Sequence, residues 1–334
     1  MIKKVHRTLL TIAIPTYDRA RLLENRLIEL IPQLTPEVEL IICNDGSTDN
    51  TVEVYEKYRG HGILYYENKV NMGLSRNMLL AFESANGDWL WTLGDDDGVL
   101  PNAVQNALAL IKKYNQSGVI TVKNDTLDFG HEREYIDLGD FLNCQGITDV
   151  MFQSSNIYHI SKINKHLKVF AQGIITLSPH LDLIFRMLED GTASIQFSQT
   201  ELLGACDSNR RWSSLELALG ISLHPNFIRN PKIRKQAALS AWFKTRWMHR
   251  YGLREVSDSS SLIRWRQLTR SCDLMLKSYG VNFLSILFFN QFERKEWYCN
   301  LVLFVFKVSP FLLLKAPITT LRKRRSGDKV SFDN

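Results

Sequence analysis

Three consecutive aspartates, Asp95–Asp97, stand directly behind the apolar segment Trp89–Leu93. Carboxylates this close repel one another, and at the end of a buried strand their charge is costly unless a cation lies among them. Asp oxygens suit Mg²⁺ or Mn²⁺, which usually keep waters or phosphate oxygens as further ligands. A metal held in this way can bridge a diphosphate and neutralise charge on a departing nucleotide. The alternative is a solvated acidic turn before the helix at Pro101.

Four other polar residues have side chains suited to a nucleotide or a phosphate. Asp45 can accept hydrogen bonds from a base or ribose, or it can serve as a turn former and helix N-cap. Arg76, at the start of a helix, can pair with phosphate or with nearby carboxylates, or be a surface charge. Arg210 and Arg211 can hold a diphosphate, on a donor or on a lipid carrier, or form a solvated pair.

Strand and helix patterns alternate through the first 120 or so residues. Strands are predicted over 9–14, 38–43, 62–66, 89–93 and 119–122. Helices are predicted over 23–31, 74–84 and 101–114, and a further helix follows the turn 44–49 and ends at about 58. This alternation predicts an α/β fold with a mostly parallel sheet and helices on both faces. Ligands of such sheets bind beyond the carboxyl ends of the strands, where we expect the loops 15–18, 44–48 and 94–97 to converge. Beyond 124 we predict a helix over 178–190 and a strand over 193–197.

Composition narrows the class of protein without choosing a partner. The chain has 334 residues, enough for one large domain with an appendage or for two domains, and its net charge of +6 favours anionic partners. Five scattered cysteines without a CxxC predict reduced thiols in a cytosolic protein, with neither a disulfide framework nor a zinc site. The sequence contains no P-loop and no GxGxxG fingerprint, which argues against kinases and dehydrogenases.

Four segments of the chain, taken together, resemble the signatures of glycosyltransferase family 2, in the usual order and at the usual spacings. They are Pro15–Arg19, Asn44–Thr51, Asn71–Asn77 and Leu93–Pro101. The resemblance covers residues 8–122 well and 150–205 loosely. It implies a GT-A (Rossmann-like) fold, a nucleotide-sugar donor, a divalent metal (Mn²⁺ or Mg²⁺) and inversion at the anomeric carbon.

The resemblance also assigns expected roles to individual residues. Those expected at the nucleotide sugar are Pro15, Thr16, Tyr17, Asp45, Arg76, Asp95 and Asp96, with Arg210 and Arg211 as further candidates. The aspartate run departs from the common Leu-Asp-Ser-Asp-Asp pattern, because Gly94 replaces the first Asp and Asp95 the Ser. Which aspartate binds the metal is therefore open, and Asp96 and Asp97 are favoured.

Inversion needs a base that takes the proton of the attacking hydroxyl. Family members commonly carry Glu-Asp at the start of a helix after the sheet, and here the matching positions are Pro179 and His180. Imidazole has a suitable pKa, so His180 is the favoured base. Asp182 is the competing candidate, and Asp190, at the end of the helix, is less favoured.

The expected organisation is a GT-A domain over 1–210, with a nucleotide-sugar half at 8–122 and an acceptor half at 123–210, followed by a helical region over 211–334. Its tail, 298–325, is apolar and then basic. This predicts peripheral association with the inner face of the cytoplasmic membrane. The alternative is a packed C-terminal helix with a solvated end. Tryptophan and arginine interleave over 242–266, but no nucleic-acid-binding motif accompanies them, so no nucleic-acid partner is expected.

The predicted function is therefore that of an inverting glycosyltransferase that extends a polyprenyl-diphosphate-linked saccharide in O-antigen or surface polysaccharide synthesis. Abequosyltransferase-like members of the family are a plausible relative, because they share the glycine at the first position of the aspartate motif. A non-catalytic relative that only binds nucleotide sugar or saccharide is the alternative. A sugar nucleotidyltransferase is disfavoured, because no Gly-rich loop with Arg or Lys follows the first strand.

Overall fold

The computed structural model describes residues 7–124, 130–207, 220–221, 223–238 and 240. Arg210, Arg211, the tail 298–325 and most of the predicted helical region 211–334 lie outside the described residues. None of the helices in the described ranges has the length and apolar character needed to cross a bilayer.

The order of elements follows the predicted alternation of strands and helices. The strands are β1 (Leu10–Thr16), β2 (Val38–Asn44), β3 (Leu64–Glu67), β4 (Trp89–Thr92), β5 (Asp97–Val99), β6 (Val119–Lys123), β7 (Arg133–Tyr135), β8 (Asn156–His159), β9 (Ile195–Glu201) and β10 (Leu203–Cys206). The helices are α1 (Ala20–Leu30), α2 (Thr51–Tyr58), α3 (Leu74–Ser84), α4 (Ala103–Lys113), α5 (Leu138–Cys144), α6 (Ile160–Ile163), α7 (Leu167–Gln172) and α8 (Pro179–Glu189), with a further helical stretch over 231–238.

Within the described residues, eight strands form one sheet in the order β3-β2-β1-β4-β8-β6-β9-β7. The pairs on the β3 side, from β3 to β4, are parallel, whereas β8 runs antiparallel to both of its neighbours and β7 runs antiparallel to β9. A second, two-stranded sheet joins β5 to β10. The mostly parallel α/β sheet predicted from the sequence is therefore confirmed.

Both faces of the sheet are covered by apolar helix surfaces. Successive β1 residues alternate between two cores: Ile12 packs with the α1 and α4 side, and Ala13 packs with the α3 and α8 side. Every residue of β1 is buried, which is why the strand reads as a continuous apolar run. Each fully buried Leu or Ile side chain contributes about 1.5–3 kcal/mol to this packing.

Three local predictions differ from the structure. β1 runs through Pro15 to Thr16, which is possible because the pairing with β4 ends at Ala13, so no β4 carbonyl needs the missing N–H of Pro15. The helix expected from Pro101 begins at Ala103. The short strands β5, β7, β8 and β10 are not predicted, because none of them contains a continuous apolar run like that of β4.

Candidate functional site

The loops that follow β1 and β2 hold one another through reciprocal hydrogen bonds. Asp18 accepts from the backbone N–H of Thr48 (2.7 Å), while the N–H of Asp18 donates to Ser47 Oγ (2.9 Å). The carboxylate of Asp49 in turn accepts from the N–H of Ala20 (2.9 Å) at the start of α1. The convergence expected for these strand-end loops is therefore present, and each loop supplies the donors or acceptors that the other lacks.

A cation from the chain itself lies at the aspartate run. Asp95 is buried, and its carboxylate accepts from Thr16 Oγ1 (2.7 Å) and from Arg19 Nη1 (2.8 Å). The same Arg19 nitrogen lies 3.1 Å from Asp96 Oδ2. Burial raises the pKa of Asp95, and Arg19 opposes that shift. Arg19 is not among the site residues predicted from the sequence, although its place in the loop after β1, three residues past Thr16, is a signal that points to it.

Asp97 occupies the space that the missing first aspartate of the motif would fill. Its carboxylate accepts from Ser154 Oγ (2.5 Å), and that oxygen accepts from the N–H of Gly94 (2.9 Å). A Cβ on Gly94 would stand only 2.5 Å from Asp97 Oδ2. The departure at Gly94 is therefore linked to the position of Asp97. Burial raises the pKa of Asp97 to about 6.

A buried arginine, Arg26, links the backbone of the aspartate run to Asp207. The Arg26 side chain is fully buried, and it donates from Nε to the carbonyl of Asp95 (3.3 Å) and from Nη2 to Asp207 Oδ2 (3.0 Å). The N–H of Asp207 donates to the carbonyl of Asp96 (2.7 Å). Arg26, Asp207 and Ser154 come from three distant parts of the sequence, so only the tertiary structure shows that they belong to the site.

The ligand atoms of Asp96, Asp97 and Cys206 lie within 4.8 Å of one another, close enough for one metal ion to bind all three. Asp95 is not part of this group, and its carboxylate is hydrogen-bonded to Thr16 and Arg19. The structure thus brings together the two aspartates that the sequence favoured as metal ligands and adds a thiol that it did not predict. Their metal-binding role stays a prediction.

Asp45 shapes the wall of an open pocket of about 430 Å³. The pocket is lined by Gly46, Ser47, Thr48, Glu67, Asn68 and Lys69. The buried carboxylate of Asp45 accepts from Asn68 Nδ2 (2.8 Å) and from the N–H groups of Met72 (2.9 Å) and Gly73 (2.8 Å). Asp45 therefore orders the loop beyond β3, and its contact with a base stays a prediction.

The remaining residues predicted at the nucleotide occupy different settings. Pro15 lies inside β1, and Thr16 is committed to Asp95. Tyr17 is 37% exposed at the same edge of the sheet. Arg76 lies on the surface of α3, where its Nη1 is 3.3 Å from Glu83 Oε2. Tyr17 and Arg76 are thus open to a ligand, whereas Pro15 and Thr16 support the site from within.

The two candidate bases lie in the interior, at the start of α8. His180 is 2% exposed, and its Nε2 lies 3.1 Å from the carbonyl of Met151; its Nδ1 has no hydrogen-bond partner among the described residues. Burial and nearby His224 lower the pKa of His180 to about 4. Asp182 Oδ1 lies 2.7 Å from His224 Nδ1, with both side chains fully buried, and burial raises the pKa of Asp182. Asp190 instead pairs with Arg229 at the surface.

The first half of the chain is similar to a known protein family. Residues 11–166 match the sequence model described as Glycosyl transferase family 2. The abequosyltransferase RfbV of Salmonella typhimurium (strain LT2) is 34% identical over 114 residues, which are 33% of this chain and 33% of that protein. The chondroitin synthase of Pasteurella multocida is 35% identical over 106 residues, which are 31% of this chain and 11% of that protein. The matches therefore span a third or less of these relatives.

Solved structures share the fold. TarS residues 1–349 of S. aureus, in complex with UDP-GlcNAc, superposes with a TM-score of 0.61 at 18% identity, covering 81% of this chain and 82% of that one. The mannosyltransferase PcManGT from Pyrobaculum calidifontis, in complex with GDP-Man and Mn²⁺, has a TM-score of 0.53 at 14% identity, with 80% of each chain covered. These likenesses confirm the predicted GT-A (Rossmann-like) fold.

Proposed function

Because residues 11–166 match the model of glycosyl transferase family 2, we propose that this chain is a member of that family and moves a sugar from a nucleotide-sugar donor to a hydroxyl of a saccharide acceptor. One observation carries the proposal. The loops after β1, β2 and β4 are joined by hydrogen bonds, and they place Arg19 among carboxylates at the same edge as an open pocket. Such an arrangement at the carboxyl ends of parallel strands suits a ligand that joins a nucleoside to a diphosphate.

On the donor side, the pocket between residues 46–48 and 67–69 takes the nucleoside. Tyr17 and Arg76, whose side chains are partly exposed, are kept as further nucleotide contacts. Arg19 contacts the carboxylates of Asp95 and Asp96, so it is suited to contact the diphosphate once a second cation shares these carboxylates. Arg210 and Arg211, outside the described residues, are kept as further diphosphate contacts.

The residues that would hold a divalent ion are Asp96 and Asp97. Their oxygens lie close enough together for one cation, and carboxylate oxygens are the ligands that Mn²⁺ and Mg²⁺ prefer. When bound, the ion would neutralise charge that develops on the leaving diphosphate. Ser154 holds Asp97 and Arg26 holds the backbone at Asp95, so the aspartate run is positioned before any ligand arrives.

The proposed reaction inverts the anomeric carbon, with His180 as base and Asp182 as the alternative. Burial lowers the pKa of His180 to about 4, so this imidazole is neutral at neutral pH but is a weaker base than a free imidazole. Its Nδ1, which has no hydrogen-bond partner among the described residues, is the atom proposed to take the proton. A base has to come within about 2.6–3.2 Å of the hydroxyl it deprotonates. Since His180 is 2% exposed, the segment around Met151 has to move when the acceptor binds.

The proposed acceptor is a saccharide linked to polyprenyl diphosphate at the inner face of the cytoplasmic membrane, in O-antigen or surface polysaccharide synthesis. The net charge of +6 and the apolar-basic tail 298–325 support a peripheral position on an anionic membrane surface. The diphosphate of a lipid carrier is negatively charged, so basic residues of the protein near the membrane surface would attract it.

Thermal unfolding with a panel of UDP-, GDP-, CDP- and dTDP-sugars plus Mn²⁺ tests the proposal. UDP- and GDP-sugars come first, because the two structural neighbours bind UDP-GlcNAc and GDP-Man. A donor at 100 times its Kd adds about 2.7 kcal/mol of stability, so a specific donor raises the unfolding midpoint. Donors that stabilise the protein are then assayed for transfer to lipid-linked saccharides.

Each other outcome points to a different function. Donor binding without transfer to any acceptor of a broad panel would favour the non-catalytic relative. Release of pyrophosphate from a nucleoside triphosphate and a sugar phosphate would indicate a nucleotidyltransferase. If no nucleotide sugar stabilises the protein, the proposed function is wrong.

A further inference from the structure

The two-stranded sheet of β5 and β10 contains a bulge beside the aspartate run. Leu203 pairs with Val99, but the register then shifts, so that Cys206 pairs with Asp97. An unbroken register would place Ala205 opposite Asp97. Because directly paired residues on antiparallel strands point to the same face, the extra residue turns the Cys206 thiol toward the carboxylate. β-bulges commonly redirect a side chain next to a functional site.

The position of Cys206 relative to the aspartates is fixed by neighbouring contacts. The next residue, Asp207, donates its N–H to the carbonyl of Asp96 (2.7 Å). The fully buried Arg26 then ties the Asp207 carboxylate (3.0 Å) to the carbonyl of Asp95 (3.3 Å). The end of β10 and the aspartate run are therefore held as one unit, so the thiol is not brought near the carboxylates by a loose loop.

The ligand set that results is two carboxylate oxygens and one sulfur, all within 4.8 Å of one another. We propose that Cys206 is a third protein ligand of the cation site at Asp96 and Asp97, and that its thiolate makes this site bind thiophilic divalent ions more tightly than Mg²⁺. This inference rests on the proposed function, in which these two aspartates hold a divalent ion. It adds a ligand that the sequence analysis did not predict, and it specifies which metals the site prefers.

The chemistry of the ligands predicts the order of affinities. A thiol binds a metal as the thiolate, so Cys206 releases its proton to solvent as the metal–sulfur bond forms. Carboxylate-only sites suit Mg²⁺ and Mn²⁺, whereas a thiolate favours softer ions such as Zn²⁺ and Cd²⁺. Cys206 is exposed, so its sulfur reacts with alkylating reagents until a metal covers it.

Alkylation of the full-length protein by iodoacetamide, followed by peptide mass spectrometry, tests the ligation without an activity assay. With Cd²⁺ at ten times its Kd, modification of Cys206 should slow about tenfold, because only the metal-free fraction reacts. Cys144 is a matched internal control, since it is also an exposed thiol but is not part of the cluster. Its rate should not change.

Ultraviolet absorption adds a second measurement. Cd²⁺ should produce a sulfur-to-cadmium charge-transfer band in the wild type and in Cys144→Ser, and the band should be lost in Cys206→Ser. Because Cys206 is exposed, the serine variant should unfold at the wild-type temperature. Cys206→Asp should keep Mn²⁺ binding but lose the preference for Cd²⁺, since it supplies a third oxygen.

The results separate this inference from the function on which it rests. If calorimetry shows Mn²⁺ bound at Asp96 and Asp97, yet Cd²⁺ neither protects Cys206 nor gives a band that depends on it, the ligand assignment is wrong and the proposed metal site stands. If no divalent ion binds at all, both are wrong. Protection that persists after Asp96→Asn and Asp97→Asn would also overturn the three-ligand site, because Cys206 would then bind metal elsewhere.

Discussion

The charged pairs at the strand-end loops are partly exposed to solvent, whereas the pair at α8 is fully buried. At the loops, the Arg19 and Asp96 side chains keep 21% and 16% of their surface exposed, and a single nitrogen serves two carboxylates. Around α8, Asp182 and His224 form a pair with no exposed surface. A partly solvated pair can exchange one partner for a ligand at small cost, whereas breaking a buried pair leaves an uncompensated charge.

The difference assigns different tasks to the two regions. The strand-end loops can release Arg19 from Asp96 when another cation arrives, so this region is suited to binding and releasing ligands. The pair at α8 joins the segment around His224 to the helix that carries His180, and it is suited to holding a side chain in place. Four experiments test whether the strand-end loops exchange Arg19 for another cation and whether the buried pair at α8 stays fixed.

The largest effect is expected from Asp96→Ala combined with Asp97→Ala. Loss of a bound divalent ion removes several kcal/mol of charge stabilisation, so kcat/KM for sugar transfer should fall by about 10³-fold or more. Steady-state transfer kinetics with the best donor measure this. Asp88→Asn is the control, since this aspartate pairs with Arg7 away from the cluster and its loss should leave transfer unchanged. Undiminished turnover in the double variant would reject the metal role.

His224→Ala should cost about 3–5 kcal/mol of the free energy of unfolding, because it leaves the Asp182 carboxylate buried without its partner. Urea denaturation measures the loss. His61→Ala, at an exposed position, should change stability by less than about 0.5 kcal/mol. A cost at His224 no larger than that at His61 would mean that the pair does not stabilise α8.

The third experiment follows the pH dependence of stability. Between pH 6.5 and about 4, His180 binds a proton in the unfolded chain but not in the folded protein, so its contribution to stability is complete above pH 6.5 and is lost as the pH falls toward 4. The full loss is about 3 kcal/mol. His180→Gln cannot titrate, so the difference between wild type and variant in urea denaturation should change across this window.

Other ionisable groups that pack near His180 also have to be considered when wild type is compared with His180→Gln. Asp182, whose pKa is raised by burial, and His224 lie beside His180 and are present in both proteins. If the difference between wild type and His180→Gln is flat from pH 7 to 4, His180 is accessible to protons in the folded protein, and the interior region is as exchangeable as the loops.

The smallest effect is expected from Arg19→Ala. Without Arg19, Asp95 and Asp96 lose their cation, so the metal-free variant should unfold at a lower temperature than wild type. Added Mn²⁺ should restore more stability to the variant than to wild type, by about 1 kcal/mol, because the ion no longer competes with Arg19. Arg21→Ala, at an exposed position of α1, is the matched control. Equal Mn²⁺ stabilisation in all three proteins would show that Arg19 and the metal do not share the carboxylates.

Much of the fold was predictable because its signals are local. The apolar runs of β1, β2 and β4 and the 3.6-residue periods of α1, α3 and α4 are each contained in about ten consecutive residues. The carboxyl ends of parallel strands share one edge of the sheet, so the convergence of the loops that carry Thr16, Asp45 and Asp95 could be predicted from the sequence. The domain boundary at 210/211 and the tail 298–325 fall on residues that the structure does not describe, and the predicted division into domains stays a prediction.

By itself, the sequence determined the mostly parallel sheet, the edge at which its polar loops meet and the match of residues 11–166 to the glycosyl transferase family 2 model. Only the tertiary structure decided which charged groups meet. Cys206 faces Asp97 through a bulge, Ser154 reaches it from a distant segment, and His224 closes on Asp182 from 42 residues away. These contacts depend on how separate elements pack, and side-chain chemistry at long sequence separation has no period that a linear pattern can show.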